Sequence, residues 1–309
     1  MSAHAIQTSD LAKAFPGGVV AVSGLDLQVE YGSVFGFIGR NGAGKTTTLR
    51  LLMGLLRPSH GSARVLETDL AAAPRTVRAR VAYVSQSVQL PGWMTVPELV
   101  RYAAHFYDEW DADLARDLTK RWDLPTNRAV GQLSSGEQRK AAIVLALAPR
   151  PEVLLLDEPA AGLDPIARRE FLDELIAVLG QRDGCTVLLS THNISDLERL
   201  AEHIGIIDRG RLVLSARLDE LQASTRRVQV IFPGDSVPVG FNLPGANRVE
   251  VSGPVARAIT RATDPVYLDA LRRKPGVRVD TFPVGLEELF IELVGHRPAE
   301  GQAGKADNL

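Results

Sequence analysis

The segment Gly39-Arg40-Asn41-Gly42-Ala43-Gly44-Lys45-Thr46 constrains this 309-residue chain more than any other, because it fits G-x-x-x-x-G-K-[ST]. A compact apolar run, Val34-Phe35-Gly36-Phe37-Ile38, precedes it and reads as a buried strand. Residues 46–56 follow and read as a helix. Strand, glycine-rich turn and helix together make a phosphate nest. The glycines let backbone N–H groups converge on phosphate oxygens, and the helix N-terminus adds partial positive charge. In such a nest Lys45 reaches the β- and γ-phosphates, the Thr46 hydroxyl binds Mg²⁺ and Thr47 donates to the α-phosphate. A nucleoside triphosphate, with ATP as the expected one, and magnesium follow. A chance glycine-rich turn is the alternative, and the strand-then-helix context weighs against it.

The flanking pattern implies an α/β domain. Residues 6–30 alternate loosely around Gly17-Gly18 and Ser23-Gly24 and read as short antiparallel strands. Residues 80–84, 153–156, 186–189 and 204–207 read as strands of a largely parallel sheet, with 211–214 closing it. Helical spacing at 97–106 and 111–122 predicts a helical subdomain at about residues 88–150. Residues 165–179 and 195–201 read as further helices. After about residue 224 prolines and glycines break the chain, and a small α+β appendage is expected over 224–295. It has strands at 227–232 and 277–282 and helices at 265–273 and 286–294. The polar residues 296–309 read as a disordered tail.

Composition excludes some roles. A net charge of -2 offers no general attraction to nucleic acid or anionic lipid. Cys185 is the only cysteine, so no intrachain disulfide can form; its place before an apolar strand reads as core. The N-terminus has no basic start followed by an apolar run, so no secretory signal is expected. No stretch approaches the ~18–20 apolar residues that span a bilayer. A membrane role would need another subunit to supply the span.

Val153-Leu154-Leu155-Leu156-Asp157-Glu158 supplies the second half of a phosphoryl-transfer site. An apolar strand delivers Asp157 to the sheet edge, where it can hold magnesium, and Glu158 can polarise a water for in-line attack. Taken alone, the acidic pair could equally just solvate that edge. Three further segments bear on this: Leu133-Ser134-Ser135-Gly136-Glu137-Gln138, Ala161-Gly162-Leu163-Asp164, and Thr191-His192. With them the chain resembles the nucleotide-binding domain of the ATP-binding cassette (ABC) family from Ile6 to Leu221. The family order is kept: phosphate loop, glutamine loop, signature loop, acidic strand, D-loop and switch histidine. The expected ABC ATPase domain covers 1–223.

The resemblance implies roles residue by residue. Gln86 matches the glutamine that touches Mg²⁺ and the attacking water. Ser134 and Gly136 match the signature loop, which caps the γ-phosphate bound to the other subunit. His192 matches the histidine that contacts the γ-phosphate, and Asp164 the D-loop aspartate that links the two sites. Phe15 stands where the family carries an aromatic, more often Tyr, that stacks on adenine; it also reads as a core residue. The signature departs from the usual L-S-G-G-Q at Ser135 and Glu137, which puts the strength of its phosphate contact in question. Gly162 replaces a frequent Ala with little consequence expected.

Two classes of work fit such a motor. One is a transporter subunit, pairing head to tail with a second nucleotide-binding subunit (a copy or close paralogue) and driving a separate membrane permease. The other is a soluble ABC ATPase acting on ribosomes or DNA. The chain has one cassette, no coiled-coil heptads between Lys45 and Asp157 and no basic cluster, which favours the first class and gives no expectation of nucleic acid. Such a subunit lies in the cytoplasm against the inner face of the membrane. Leu90-Pro91-Gly92-Trp93-Met94-Thr95-Val96 resembles the cleft that receives a helix of the permease, although Trp93 and Met94 also read as subdomain core. Phe106-Tyr107-Asp108-Glu109-Trp110-Asp111 and Leu286-Glu287-Glu288-Leu289-Phe290 resemble a bacterial exporter-type branch. For the appendage, dimer contacts, regulation and no separate activity all remain open. Arg168-Arg169 reads as a solvated helix face.

Overall fold

The computed structural model describes residues 3–71, 74–180, 184–246, 248–261 and 264–295. The chain forms two compact units, Met1–Ser215 and Ala216–Leu309. The first begins with β1 (His4–Ala14), β2 (Val20–Leu25), β3 (Gln28–Glu30), β4 (Val34–Ile38), α1 (Lys45–Leu52), β5 (His60–Val65) and β6 (Thr68–Asp69). It continues with α2 (Pro74–Arg80), β7 (Val81–Val84), α3 (Val96–Ala104), α4 (Ala112–Arg121), α5 (Ser135–Leu147) and β8 (Val153–Asp157). Then come α6 (Pro165–Leu179), β9 (Thr186–Thr191), α7 (Ile194–Leu200), β10 (His203–Asp208) and β11 (Arg211–Arg217), which runs across the division.

One sheet has the order β11-β10-β4-β9-β8-β7, with parallel pairing from β10 through β7. Every residue of β8 and β9 is buried, as their bare apolar runs require when both faces are covered. The second sheet is antiparallel, β2-β1-β5-β6 with β3 also on β1. Helices α3 to α5 are inserted between β7 and β8. Because β4, β7, β8 and β9 run in parallel, the loops that leave their C-terminal ends share one edge. Crevices at that edge are where open α/β sheets bind ligands.

Helix α1 stops at Leu52, short of the expected residue 56. Gly54 takes a φ of +69°, and the amides of Gly54 and Leu55 turn back onto the carbonyls of Leu51 and Arg50. A left-handed glycine closes helices in this way.

The second unit has α8 (Leu218–Ser224), β12 (Thr225–Ile231), β13 (Glu250–Ser252), β14 (Val255–Arg261), α9 (Pro265–Arg272), β15 (Arg278–Pro283) and α10 (Leu286–Val294). Its antiparallel sheet has the order β13-β14-β12-β15. Val228, Val230, Ala256, Ala258 and Val279 face Leu268 and Leu271 of α9 and make its core. Helices α2 and α8 and strands β13 and β14 have no counterpart in the sequence reading. The two helices have seven residues each, and β14 buries two alanines and a threonine, which carry little hydropathy contrast. Residues 296–309 lie outside the described residues.

Candidate nucleotide-binding site

The phosphate loop joins the end of β4 to α1. Gly44 has a φ of +107°, and a Cβ there would lie 2.3 Å from the Ala21 carbonyl oxygen, so only glycine fits. Gly39 is equally confined: its Cβ would meet the Ile207 carbonyl at 2.5 Å. The Ala43 amide closes the loop onto the Arg40 carbonyl at 3.0 Å, and the Ala43 carbonyl accepts from Gly210 at 2.9 Å. Arg40, Asn41 and Gly42 form the exposed rim. No side chain caps the N-terminus of α1. The first-turn amides of Lys45, Thr46 and Thr47 therefore face the loop with no intrahelical acceptor, which is the arrangement that binds anions.

Lys45 is 6% exposed, and its Nζ donates to the Gly39 carbonyl at 2.8 Å and pairs with Glu158 Oε1 at 3.1 Å. Thr46 Oγ1 donates to Asp157 Oδ1 at 3.1 Å. Ser190 Oγ donates to the same oxygen at 2.7 Å, and the Tyr83 hydroxyl to Asp157 Oδ2 at 3.2 Å. Glu158 is 5% exposed and takes a φ of +50°, which is costly for a residue with a side chain. Its amide is pinned to the carbonyl and hydroxyl oxygens of Ser190 at 3.0 and 3.2 Å. Its Oε2 lies 2.8 Å from His192 Nδ1 and also accepts from the His192 amide at 3.3 Å. Five residues from three loops are thus brought together: Lys45, Thr46, Asp157, Glu158 and His192.

The other residues named from sequence have different surroundings. Gln86 is exposed, two residues past the end of β7. Ser134 caps α5, its Oγ accepting from the Glu137 amide at 3.2 Å while Glu137 Oε2 accepts from the Ser134 amide at 2.7 Å. The departure Glu137 thus completes a reciprocal capping box. Those hydrogen bonds hold the Glu137 carboxyl below the usual carboxylate range. A Cβ on Gly136 would lie 3.2 Å from Leu163 of the D-loop. Asp164 caps α6 by accepting from the amides of Ile166 and Ala167. Phe15 is outside the buried core, with Lys13 Nζ 5.3 Å above its ring. Trp93 is 78% exposed, so its reading as subdomain core fails.

Sequence reasoning missed Tyr83, Ser190 and Asp196. In-register parallel pairing sets Ser190 beside Asp157, a signal that strand alignment alone could have supplied. Burial and the Asp157 carboxylate push the Tyr83 phenol above its ordinary pKa. Asp196 is buried near His192 and Glu158; burial raises its pKa, opposed by Arg168, whose Nε lies 3.9 Å away. Arg168 is therefore not a solvated residue as its sequence suggested. Asp196 and the Ala160 carbonyl, 3.4 Å from its guanidinium, draw it inward. Arg169 stays exposed.

Residues 22–161 match the ABC transporter family. The Nod factor export ATP-binding protein I of Cupriavidus metallidurans is 35% identical over 287 residues, which cover 90% of this chain and 94% of that protein. The daunorubicin/doxorubicin resistance ATP-binding protein DrrA of Streptomyces peucetius is 34% identical, over 97% of this chain and 95% of that one. A solved ATP-binding subunit of an ABC transporter superposes with a TM-score of 0.62 at 29% identity, covering 71% of this chain and 92% of its own. The chain belongs to the ABC transporter family, as an ATP-binding subunit of exporter type.

Proposed function

We propose that this subunit binds Mg-ATP on the phosphate loop and hydrolyses it within a head-to-tail pair, driving export through a separate membrane permease. The convergence of Lys45, Thr46, Asp157, Glu158 and His192 at one sheet edge carries this reading. The donor set suits magnesium. A hydroxyl and a carboxylate oxygen stand 3.1 Å apart, and both are hard ligands. Among the described residues no cluster of three acidic, His or Cys side chains forms an all-protein cage. One or two side chains shared with phosphate oxygens is the usual Mg²⁺ arrangement. Thr46 and Asp157 would hold the ion and Gln86 would touch it. Held there, the ion would supply positive charge against the developing negative charge of phosphoryl transfer.

The chain's own residues do the rest. Lys45 and the first-turn amides of α1 hold phosphate oxygens, with Arg40, Asn41 and Gly42 as the loop rim and the buried Ala43 beside them. Glu158 accepts a proton from the attacking water while Gln86 orients it. His192 contacts the γ-phosphate, and Phe15 stacks on adenine. Ser134 and Gly136 of a second chain close the nucleotide from the other side, with Asp164 at the junction. Two ATP molecules then hold the pair together until hydrolysis removes the charge bridge. The matched family is a transporter family, which disfavours the ribosome or DNA alternative. Among the described residues no helix is long and apolar enough to cross a membrane. On the transporter reading, the permease attaches the subunit at the inner face of the membrane. We take residues 1–223 as the ATPase domain and 224–295 as its appendage.

Sedimentation of the purified full chain tests this reading. ATP with Mg²⁺ should shift monomer to dimer, and EDTA should abolish phosphate release. A chain that neither releases phosphate nor dimerises under either condition would remove the proposal.

A groove of about 320 Å³ near Gln86, lined by Met53, Leu55, Leu90, Tyr107 and Leu145, supports the docking site for the permease. Trp93 stands on the same insertion. A glutamate there meets water in the free chain but desolvation in the complex. Trp93→Glu is expected to leave the Tm within about 1–2 °C and to lose co-purification with the membrane subunit. Normal co-purification would remove Trp93 from the docking surface.

A further inference from the structure

Arg139 lies in the second turn of α5, five residues after Ser134, and is 7% exposed. Its guanidinium holds two loops at once. Nη1 donates to the Ala161 carbonyl at 2.6 Å, and Nη2 to the Gln86 carbonyl at 3.0 Å. The buried Nε has no hydrogen-bond partner among the described residues. Burial lowers the pKa of the group, and among the described residues no carboxylate offsets the effect.

As a source of stability this is a poor arrangement. A buried cation without a counter-charge is costly, and an apolar side chain of similar volume would avoid that cost. What the planar fork does provide is geometry, since it fixes two acceptors at a set separation. Both acceptors sit on loops of the nucleotide site. Gln86 follows β7, whose Tyr83 donates to Asp157. Ala161 is one tight turn past Glu158, its amide donating to the Glu158 carbonyl at 3.0 Å. The helix that carries Arg139 is capped by Ser134, which serves the other chain's nucleotide in the function proposed above.

We propose that Arg139 is a positioning residue that ties the Ser134 end of α5 to the chain's own Gln86 and Glu158–Asp164 loops, so that occupancy of one site sets the surface completing the other. The inference rests on the head-to-tail reading. It makes the two hydrolytic sites interdependent through a contact inside each chain.

Two variants of the full chain test it. Arg139→Lys keeps the charge and stem but offers a point donor that cannot hold both carbonyls. Arg139→Met removes the buried charge and should be at least as thermostable as the native chain. Both are expected to lower kcat about tenfold to a hundredfold, to lose sigmoidal dependence on ATP, and to keep ATP affinity by calorimetry within about twofold. A merely structural role would instead lower Tm and affinity together with kcat. The inference is overturned by folded variants with native kcat and sigmoidicity. It is equally overturned if both variants fail to fold, or if Tm and affinity fall in step with rate. A native chain without Mg-ATP hydrolysis would sink the functional reading itself, a different result from native hydrolysis left unchanged by the variants.

Discussion

Lys45→Ala is expected to weaken ATP binding about a hundredfold, some 2.7 kcal/mol, and to destabilise the first unit as well. The affinity loss follows from removing a buried ammonium that faces the uncapped start of α1. The stability loss is specific to this geometry. Lys45 and Glu158 are 6% and 5% exposed and pair at 3.1 Å, so alanine leaves a carboxylate buried with His192 as its remaining side-chain partner. Breaking a buried pair from one side costs about 3 kcal/mol, or about 6–12 °C in Tm for a unit of this size. The double variant Lys45→Ala, Glu158→Gln separates the two effects, because a neutral amide needs no counter-charge. It should recover at least half the lost Tm and none of the lost affinity. Undiminished ATP affinity in the single variant by calorimetry would contradict the phosphate-loop assignment.

The parts of the fold legible in the sequence are those where local pattern and burial agree. Val34 to Ile38 forms β4 as expected, and Pro165–Leu179 is α6 to the residue, since Asp164 caps it and proline can only begin it. The appendage was less legible. Its β14 buries Ala256, Ala258 and Thr260, residues too small or polar to stand out from Pro- and Gly-rich neighbours. The meeting of Lys45 and Thr46 with Glu158 and Asp157 was legible because one contiguous motif supplies each pair. Ser190 and Tyr83 were not, since their parts depend on which strands lie side by side. Arg139 was hidden for the same reason. A buried arginine whose acceptors are two main-chain carbonyls leaves no trace in the residue types at Gln86 and Ala161.

In the signature loop, the departure at Glu137 has a local structural role. Glu137 replaces the usual glutamine and accepts from the Ser134 amide. Loss of a capping residue costs about 1 kcal/mol of helix stability, so the carboxylate helps fix the turn that presents Ser134. It also sets a negative charge beside the turn that is proposed to meet phosphate. Arg128, 3.4 Å from Glu137, offsets that charge in part.

Glu158→Gln separates binding from hydrolysis. The amide is nearly isosteric, so the strained backbone at φ +50° and its contacts with Ser190 should persist. Removing the proton acceptor is expected to lower kcat about 10²–10⁴-fold. ATP affinity should rise rather than fall, for two reasons present in the geometry. The Glu158 carboxylate holds the Lys45 ammonium at 3.1 Å, and so competes with a γ-phosphate for it. It is also a second negative charge beside the same phosphate, and like charges in a buried site repel strongly. Neutralising it removes both penalties, a few-fold gain by calorimetry, on the order of 1 kcal/mol. Tighter binding with blocked turnover traps the pair, so the ATP-bound dimer of the variant should outlast that of the native chain. Native rates of phosphate release would take Glu158 out of the base role. A lowered ATP affinity would show instead that the Lys45–Glu158 pair prepares the loop for nucleotide rather than competing with it.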